Sequence, residues 1–253
     1  MDLGLTGRVF VVGGGSAGLG FATASVLVAE GARVVLVGRG QERVDAAVTT
    51  LGMASAIGCA GDLADPAITA AAIETAVSGF GRLDGALANT GGPPRGALMT
   101  TADDAWRQAF DSVFLAPLRL AREIGRHTRQ HHVEDAAICL VLSISVRSPL
   151  PQLAMSNGLR PGLAMLVKNL ADELGPPPNS VRVTGVLPGS FATARSLSTT
   201  TIKQQGDRFA AVPLRRIGDP LELGRVAAFL LSPAASYVTG TLIAVDGGAC
   251  RAL

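Results

Sequence analysis

Gly13-Gly14-Gly15-Ser16-Ala17-Gly18-Leu19-Gly20 stands between a β-branched apolar run, Arg8–Val12, and a helical pattern over Ala17–Glu30. Glycines at such a junction permit positive φ and let backbone N–H groups approach an anion closely. The first turn of the following helix adds partial positive charge. Two registers fit: Gly13, Gly15 and Gly18 as G-x-G-x-x-G, or Gly14, Gly18 and Gly20 as G-x-x-x-G-x-G. A strand before and a helix after are the context in which such a string reads as the phosphate loop of a dinucleotide site.

Outward from that loop, apolar runs alternate with helical patterns, the mark of βαβ units and a parallel sheet. Strands are expected at Arg8–Val12, Arg33–Val37, Ser55–Gly58, Gly85–Ala88, Ala137–Leu142, Val181–Val186 and Thr241–Val245. Helices are expected at Ala17–Glu30, Gln41–Leu51, Pro66–Phe80, Thr101–Thr128 with Pro117 inside, Gly162–Leu174 and Pro220–Leu231. The expected fold class is α/β: a Rossmann-type, doubly wound, seven-stranded parallel sheet in one domain over 1–253. Pro188 to about Asp207 has no strong period and is rich in Ser and Thr, so it is expected to form a lid or substrate loop.

Composition narrows the function classes. Of 253 residues 48% are hydrophobic, enough for a large core, and the formal net charge is only +2. No basic run points to nucleic acid or a membrane surface. No apolar run reaches the ~20 residues needed to span a bilayer. No basic segment leads into a long apolar stretch at the start, so a cytoplasmic location is expected. Cys59, Cys139 and Cys250 are isolated, which argues against a disulfide framework or a metal site.

The end of the second strand should select the cofactor. A carboxylate there would bond a ribose 2′-hydroxyl, whereas this chain has Gly38-Arg39. Arg39 can pair with a 2′-phosphate in a bidentate way, so NADP(H) is expected over NAD(H).

Further segments recur in a fixed order: Asp62-Leu63; Ala88-Asn89-Thr90-Gly91; Ser143-Ile144-Ser145; Pro188-Gly189 followed by Thr193; Arg216-Ile217-Gly218-Asp219-Pro220; Tyr237-Val238-Thr239-Gly240; and Val245-Asp246-Gly247-Gly248. Together with the glycine loop they resemble the short-chain dehydrogenase/reductase family over almost the full length, nearest its 3-oxoacyl-carrier-protein-reductase-like branch. The resemblance implies that Gly14, Ser16, Ala17, Gly18, Leu19 and Gly20 line the cofactor, with Asp62 and Leu63 beside the adenine. It implies that Asn89 and Gly91 support the adenosine half, and that Thr193, beyond Pro188 and Gly189, holds the nicotinamide amide. It also implies a small-molecule substrate and a homo-oligomer, dimer or tetramer, built on the helices near 101–128 and 156–174.

The same resemblance implies a catalytic Tyr and Lys in a Y-x-x-x-K spacing, a Ser, and an Asn on the preceding long helix. Only the serine is retained, as Ser145. The Tyr and Lys positions align with Ser156 and Arg160, and the Asn position with Val113. The chain's single tyrosine, Tyr237, lies far downstream, where packing or subunit contact is the expected role. Tyr, at pKa ~10, can be tuned as a proton donor by a nearby cation. Arg160 keeps the charge and can hold the cofactor ribose or a substrate anion but, with a pKa above ~12, is a poor shuttle. Ser156 reads first as a cap for a helix beginning beyond Pro161, and second as a proton relay. Arg95 and Arg147 could face a substrate pocket, which favours an anionic or carrier-bound substrate. His127, His131 and His132 are expected far from the chemistry. Two readings remain open: an oxidoreductase with an altered proton pathway, or a non-catalytic nucleotide-binding homologue acting as sensor or partner subunit. A different reaction on the same scaffold is a third.

Overall fold

Alternate residues of the first strand enter different cores: Val9 and Val11 pack on one side of the sheet, Phe10 and Val12 on the other. A strand covered on both faces must be apolar throughout, which is why these runs show no polar alternation. The computed structural model describes residues 2–198 and 212–252. Seven parallel strands, β1 (Val9–Gly13), β2 (Arg33–Gly38), β3 (Ala56–Ala60), β4 (Gly85–Ala88), β5 (Ala136–Val141), β6 (Val181–Pro188) and β7 (Thr241–Val245), form one sheet in the order β3-β2-β1-β4-β5-β6-β7. The chain winds outward from β1 to β3, then crosses to β4 on the other side of β1. That reversal opens a crevice at the carboxyl ends of β1 and β4, the place where doubly wound sheets bind ligands.

Helices cover both faces. α1 (Gly18–Ala29), α2 (Gln41–Leu51) and the helix at Pro220–Leu231 lie on one; α3 (Pro66–Phe80), the segment from Asp103 to Gln130 and the helix at Ala154–Leu174 lie on the other. Local chemistry explains their ends. Asp65 accepts from the Ala67 N–H at 2.9 Å with Pro66 at the first position, and Gly81 closes α3 in the left-handed region. Asp219 and Glu222 form a capping box at the start of Pro220–Leu231.

Two expected helices differ. Thr101–Thr128 is α4 (Asp103–Ala109), a π-helical turn (Phe110–Leu115) and α5 (Ala116–Gln130). Pro117 has no N–H for the Val113 carbonyl, and its ring crowds that carbonyl; the wider turn just before it relieves the conflict. The helix expected from Gly162 begins eight residues earlier, as α6 (Ala154–Leu174), with Pro161 inside it. An interior proline costs about 3 kcal/mol. Burial of Met155 in the added turns contributes about 1.5–3 kcal/mol, and with the buried bond from Arg160 to the Val141 carbonyl it offsets that cost. The remaining helices are α7 (Ala194–Ser198) and α8 (Pro220–Leu231). The expected lid is described only as far as Ser198; its remainder lies outside the described residues.

Charge is buried at the opposite, amino-terminal edge of the sheet. Asp84 is wholly buried; it accepts the Val9 N–H at 2.8 Å and pairs with Arg8 at 3.2 Å and Arg82 at 2.6 Å. Arg182, buried on β6, donates to the carbonyls of Leu230 and Ser232 at 2.8 Å each, holding the end of α8 to the sheet.

Candidate active site

The glycine loop sits in the crevice. Gly14 and Gly18 have φ of 57° and 58°, so the Gly14-Gly18-Gly20 register supplies the left-handed turns. A Cβ at Gly20 would overlap the Gly14 carbonyl, so the helix and the turn touch through bare backbone. Ala17, the residue before α1, gives no side-chain cap, and the first turn of α1 carries no acid. Its leading N–H groups are therefore left for an anion. Asn89 donates through Nδ2 to the Gly13 carbonyl at 3.0 Å, tying β4 to the loop across the crevice. These features fit a dinucleotide diphosphate.

Around it, Ser16 lies against Gly38 at the end of β2, where Arg39 is exposed. Asp62 accepts from the Ala64 N–H at 3.0 Å, and Leu63 packs against Gly13. Gly189, after Pro188, donates its N–H to the Val245 carbonyl at 3.0 Å. Thr193 lies beside Gly18 and forms a tight turn with Ser196, whose N–H donates to the Thr193 hydroxyl at 3.2 Å.

Beyond the crevice, the loop after β5 carries Ser143-Ile144-Ser145, where the Ser143 hydroxyl accepts the Ser145 N–H at 3.1 Å. Ser145 faces Ser156 on α6, their hydroxyl oxygens 3.1 Å apart, and both side chains are buried. Ser156 therefore does not cap a helix. It lies within the first turn of α6 and points inward, because that turn is packed against the sheet. Arg160, one turn on and on the same face, is 6% exposed and donates to the Val141 carbonyl at 2.8 Å. Burial is the main force pushing its pKa down to about 10, with the nearby positive charge of Arg195 second. At neutral pH Arg160 is still a cation. The structure thus joins two hydroxyls and one buried guanidinium, held at the carboxyl edge of β5.

A profile described as enoyl-(acyl carrier protein) reductase matches residues 14–250. Short-chain reductase protein NovJ of Streptomyces niveus is 33% identical over 252 residues, spanning 95% of this chain and 93% of the relative. Versicolorin reductase stcU of Emericella nidulans is 33% identical over 267 residues, spanning 98% and 97%. The crystal structure of L-sorbose reductase from Gluconobacter frateurii, solved with NADPH and L-sorbose, is 30% identical with a TM-score of 0.91 over all of both chains.

The chain belongs to the short-chain dehydrogenase/reductase family.

Within this short-chain dehydrogenase/reductase, several outlying residues take up other places. Tyr237 is fully exposed, so internal packing is not its role: the turn before β7 carries its ring away from the core. Arg147 donates to the Ala252 carbonyl at 3.3 Å, and Arg95 is exposed. The rings of His127 and His131 lie 4.3 Å apart, tilted by 35°, near the end of α5, and burial together with the neighbouring ring holds His127 below its usual range. They lie toward the amino-terminal ends of the strands, away from the serine pair. Three residues that sequence reasoning passed over shape the site. Arg195, two beyond Thr193, donates to the Gly92 and Pro93 carbonyls at 2.7 and 2.9 Å. Arg119 of α5 donates to the Leu63 and Ala64 carbonyls at 3.3 and 3.1 Å. Asn157, next to Ser156, bonds twice to Leu150. An arginine or asparagine in a chain gives no sign of which distant carbonyl it will meet. No helix among the described residues is long and apolar enough to cross a membrane.

Proposed function

We propose that this protein is an NADP(H)-dependent oxidoreductase that interconverts a carbonyl and an alcohol, with Ser145, Ser156 and Arg160 doing what Ser, Tyr and Lys do in the family pattern. The buried Ser145–Ser156 pair with Arg160 one turn away carries this reading. The bound nicotinamide supplies or accepts the hydride. Ser145 and Ser156 donate hydrogen bonds to the substrate oxygen as negative charge grows there, and Arg160 lowers the potential of that charge in a water-poor setting. Ser156 passes a proton from solvent to the alkoxide, because a hydroxyl both donates and accepts. Arg160 holds its proton at neutral pH and acts by charge alone.

A panel of ketones with NADPH tests the reading. Turnover should appear in the wild type and fall about 10²-fold in Ser145→Ala, the usual loss for one donor to a developing oxyanion. The depressed Arg160 pKa sets the sign of the pH effect: the cation is present below about 10 and lost above it, so reduction should decline as pH rises through that value. A panel with no turnover in either protein would refute the proposal and leave a nucleotide-binding sensor or partner subunit.

For the cofactor, the end of β2 offers Arg39, with Ser16 beneath Gly38, and no carboxylate. The NADPH complex of the sorbose reductase supports the same choice. NADPH should bind more tightly than NADH by about tenfold, one charge-assisted contact's worth. Arg39→Ala should erase that difference while leaving NADH affinity unchanged. Tighter NADH binding by the wild type in calorimetry would reverse the assignment.

The homo-oligomer is proposed to form through α4–α6. Trp106 packs over Gly158 and Phe114 over Gly162, and an open groove of about 530 Å³ is lined by Trp106, Phe110 and Leu159 together with Arg107 and Asp111. Phe110 stacks on Phe114 at 5.1 Å yet stays 43% exposed, and Met165, also on α6, is 68% exposed. Light scattering should give a multiple of the 25.7 kDa chain mass; a single-chain mass would refute this assembly.

A further inference from the structure

The loop carrying Ser145 leaves β5 after Val141 and enters α6 at Ala154, and Asn157 grips it at two points. Its Oδ1 accepts the Leu150 N–H at 3.1 Å, and its Nδ2 donates to the Leu150 carbonyl at 2.9 Å. One side chain thus pairs with both backbone groups of a single residue, as a neighbouring strand would. Two residues on, Gln152 has φ 60°, a left-handed conformation that a non-glycine residue keeps only where its neighbours over-determine the backbone. The neighbours are in place: the Gly96 N–H donates to the Gln152 carbonyl at 2.9 Å, and the Ala154 N–H donates to the Gly96 carbonyl at 3.3 Å. Leu153, at the start of α6, provides no side-chain cap, so these contacts fix the entry to the helix.

The Ser145–Ser156 hydrogen bond cannot hold the loop during reaction. Both hydroxyls must turn to a substrate oxygen, and that turn breaks their mutual bond. A separate tie has to keep the loop and the helix in register while this happens. We propose that Asn157 is that tie: a positioning residue which, by clamping Leu150, keeps Ser145 at the distance from Ser156 where both reach one oxygen. The proposal rests on the carbonyl-reductase reading above and goes beyond it by giving a role to a residue outside the three reacting positions.

Asn157→Ala removes both bonds. Asn157→Asp keeps an acceptor for the Leu150 N–H but sets a second oxygen against the Leu150 carbonyl. Three measurements decide: kcat with NADPH and a ketone that the wild type reduces, NADPH affinity by calorimetry, and hydrogen exchange at the Leu150 amide. In both variants kcat should fall about tenfold or more, as misplaced groups cost rate, with NADPH affinity within about twofold of wild type. The Leu150 amide should exchange at least about tenfold faster in Asn157→Ala. Unchanged kcat overturns the proposal. So does a loss of NADPH affinity in step with melting temperature, which marks a general packing contact. Should the wild type reduce no ketone, the reductase reading falls by itself. The exchange data still judge the clamp: unchanged exchange in Asn157→Ala overturns it, and faster exchange upholds it.

Discussion

Gly20→Val should abolish dinucleotide binding. The Gly20 Cα faces the Gly14 carbonyl so closely that even a methyl group would overlap the carbonyl carbon and oxygen. Nothing flexible stands there to move aside, since both partners are main chain. Either α1 shifts away from the turn or the turn opens, and in both cases the N–H groups lose their convergence on a diphosphate. Two or more charge-assisted bonds at about 1.5–3 kcal/mol each are at stake, so NADPH affinity should fall by at least ~10²-fold. Calorimetry measures this directly, and circular dichroism checks that the sheet survives. Retained NADPH affinity in a folded Gly20→Val protein would mean that the cofactor lies elsewhere.

Asp84→Ala should cause the largest loss of stability. The carboxylate is completely buried and serves three donors: the Val9 N–H, Arg8 and Arg82. Arg82 is half exposed and contributes little, because water and salt screen that pair. Arg8 is mostly covered and also reaches Asp135 at 3.3 Å and the Glu134 carbonyl at 3.1 Å, whereas the Val9 N–H has no second acceptor among the described residues. Removing the acid leaves a buried N–H at the start of the central strand without its acceptor and takes one charged partner from Arg8, which keeps Asp135 and the Gly4 and Glu134 carbonyls. An orphaned buried donor costs about 1–3 kcal/mol, and a lost charge-assisted bond about 1.5–3 kcal/mol. For a chain of this size the two together correspond to a Tm lower by about 5–24 °C. Asp84→Asn retains an acceptor for Val9 and should lose less. Differential scanning calorimetry of the two variants tests the order; equal, small shifts would show that the carboxylate is dispensable.

Much of the fold was legible because its causes are local. Seven apolar runs with glycine or proline punctuation mark the strands, and Asp65-Pro66 and Asp219-Pro220 announce their helices through caps that act within four residues. The glycine turn after β1 was legible for the same reason: positive φ at Gly14 and Gly18 is a property of those residues. Where a local rule competed with burial, the local reading failed. Pro161 marks a helix boundary by propensity, yet α6 passes through it, because burying Met155 and bonding Arg160 to the Val141 carbonyl offset what the proline costs. That one extension changes Ser156 from a cap into a partner of Ser145.

The candidate site divides along the same line. The amino-acid sequence by itself determined that a glycine-lined strand–helix junction heads a seven-stranded α/β chain, that the only tyrosine lies at position 237, and that an arginine replaces an acid after β2. Each is a matter of residue identity and short spacing. Only the tertiary structure decided that Ser145 meets Ser156, that Arg160 is buried beside them, that Asn157 grips Leu150 and that Arg195 reaches across to Gly92. Those partners lie from 7 to 103 residues apart. A hydrogen bond over such distances depends on how helices settle on the sheet, which packing sets and no short window of sequence contains.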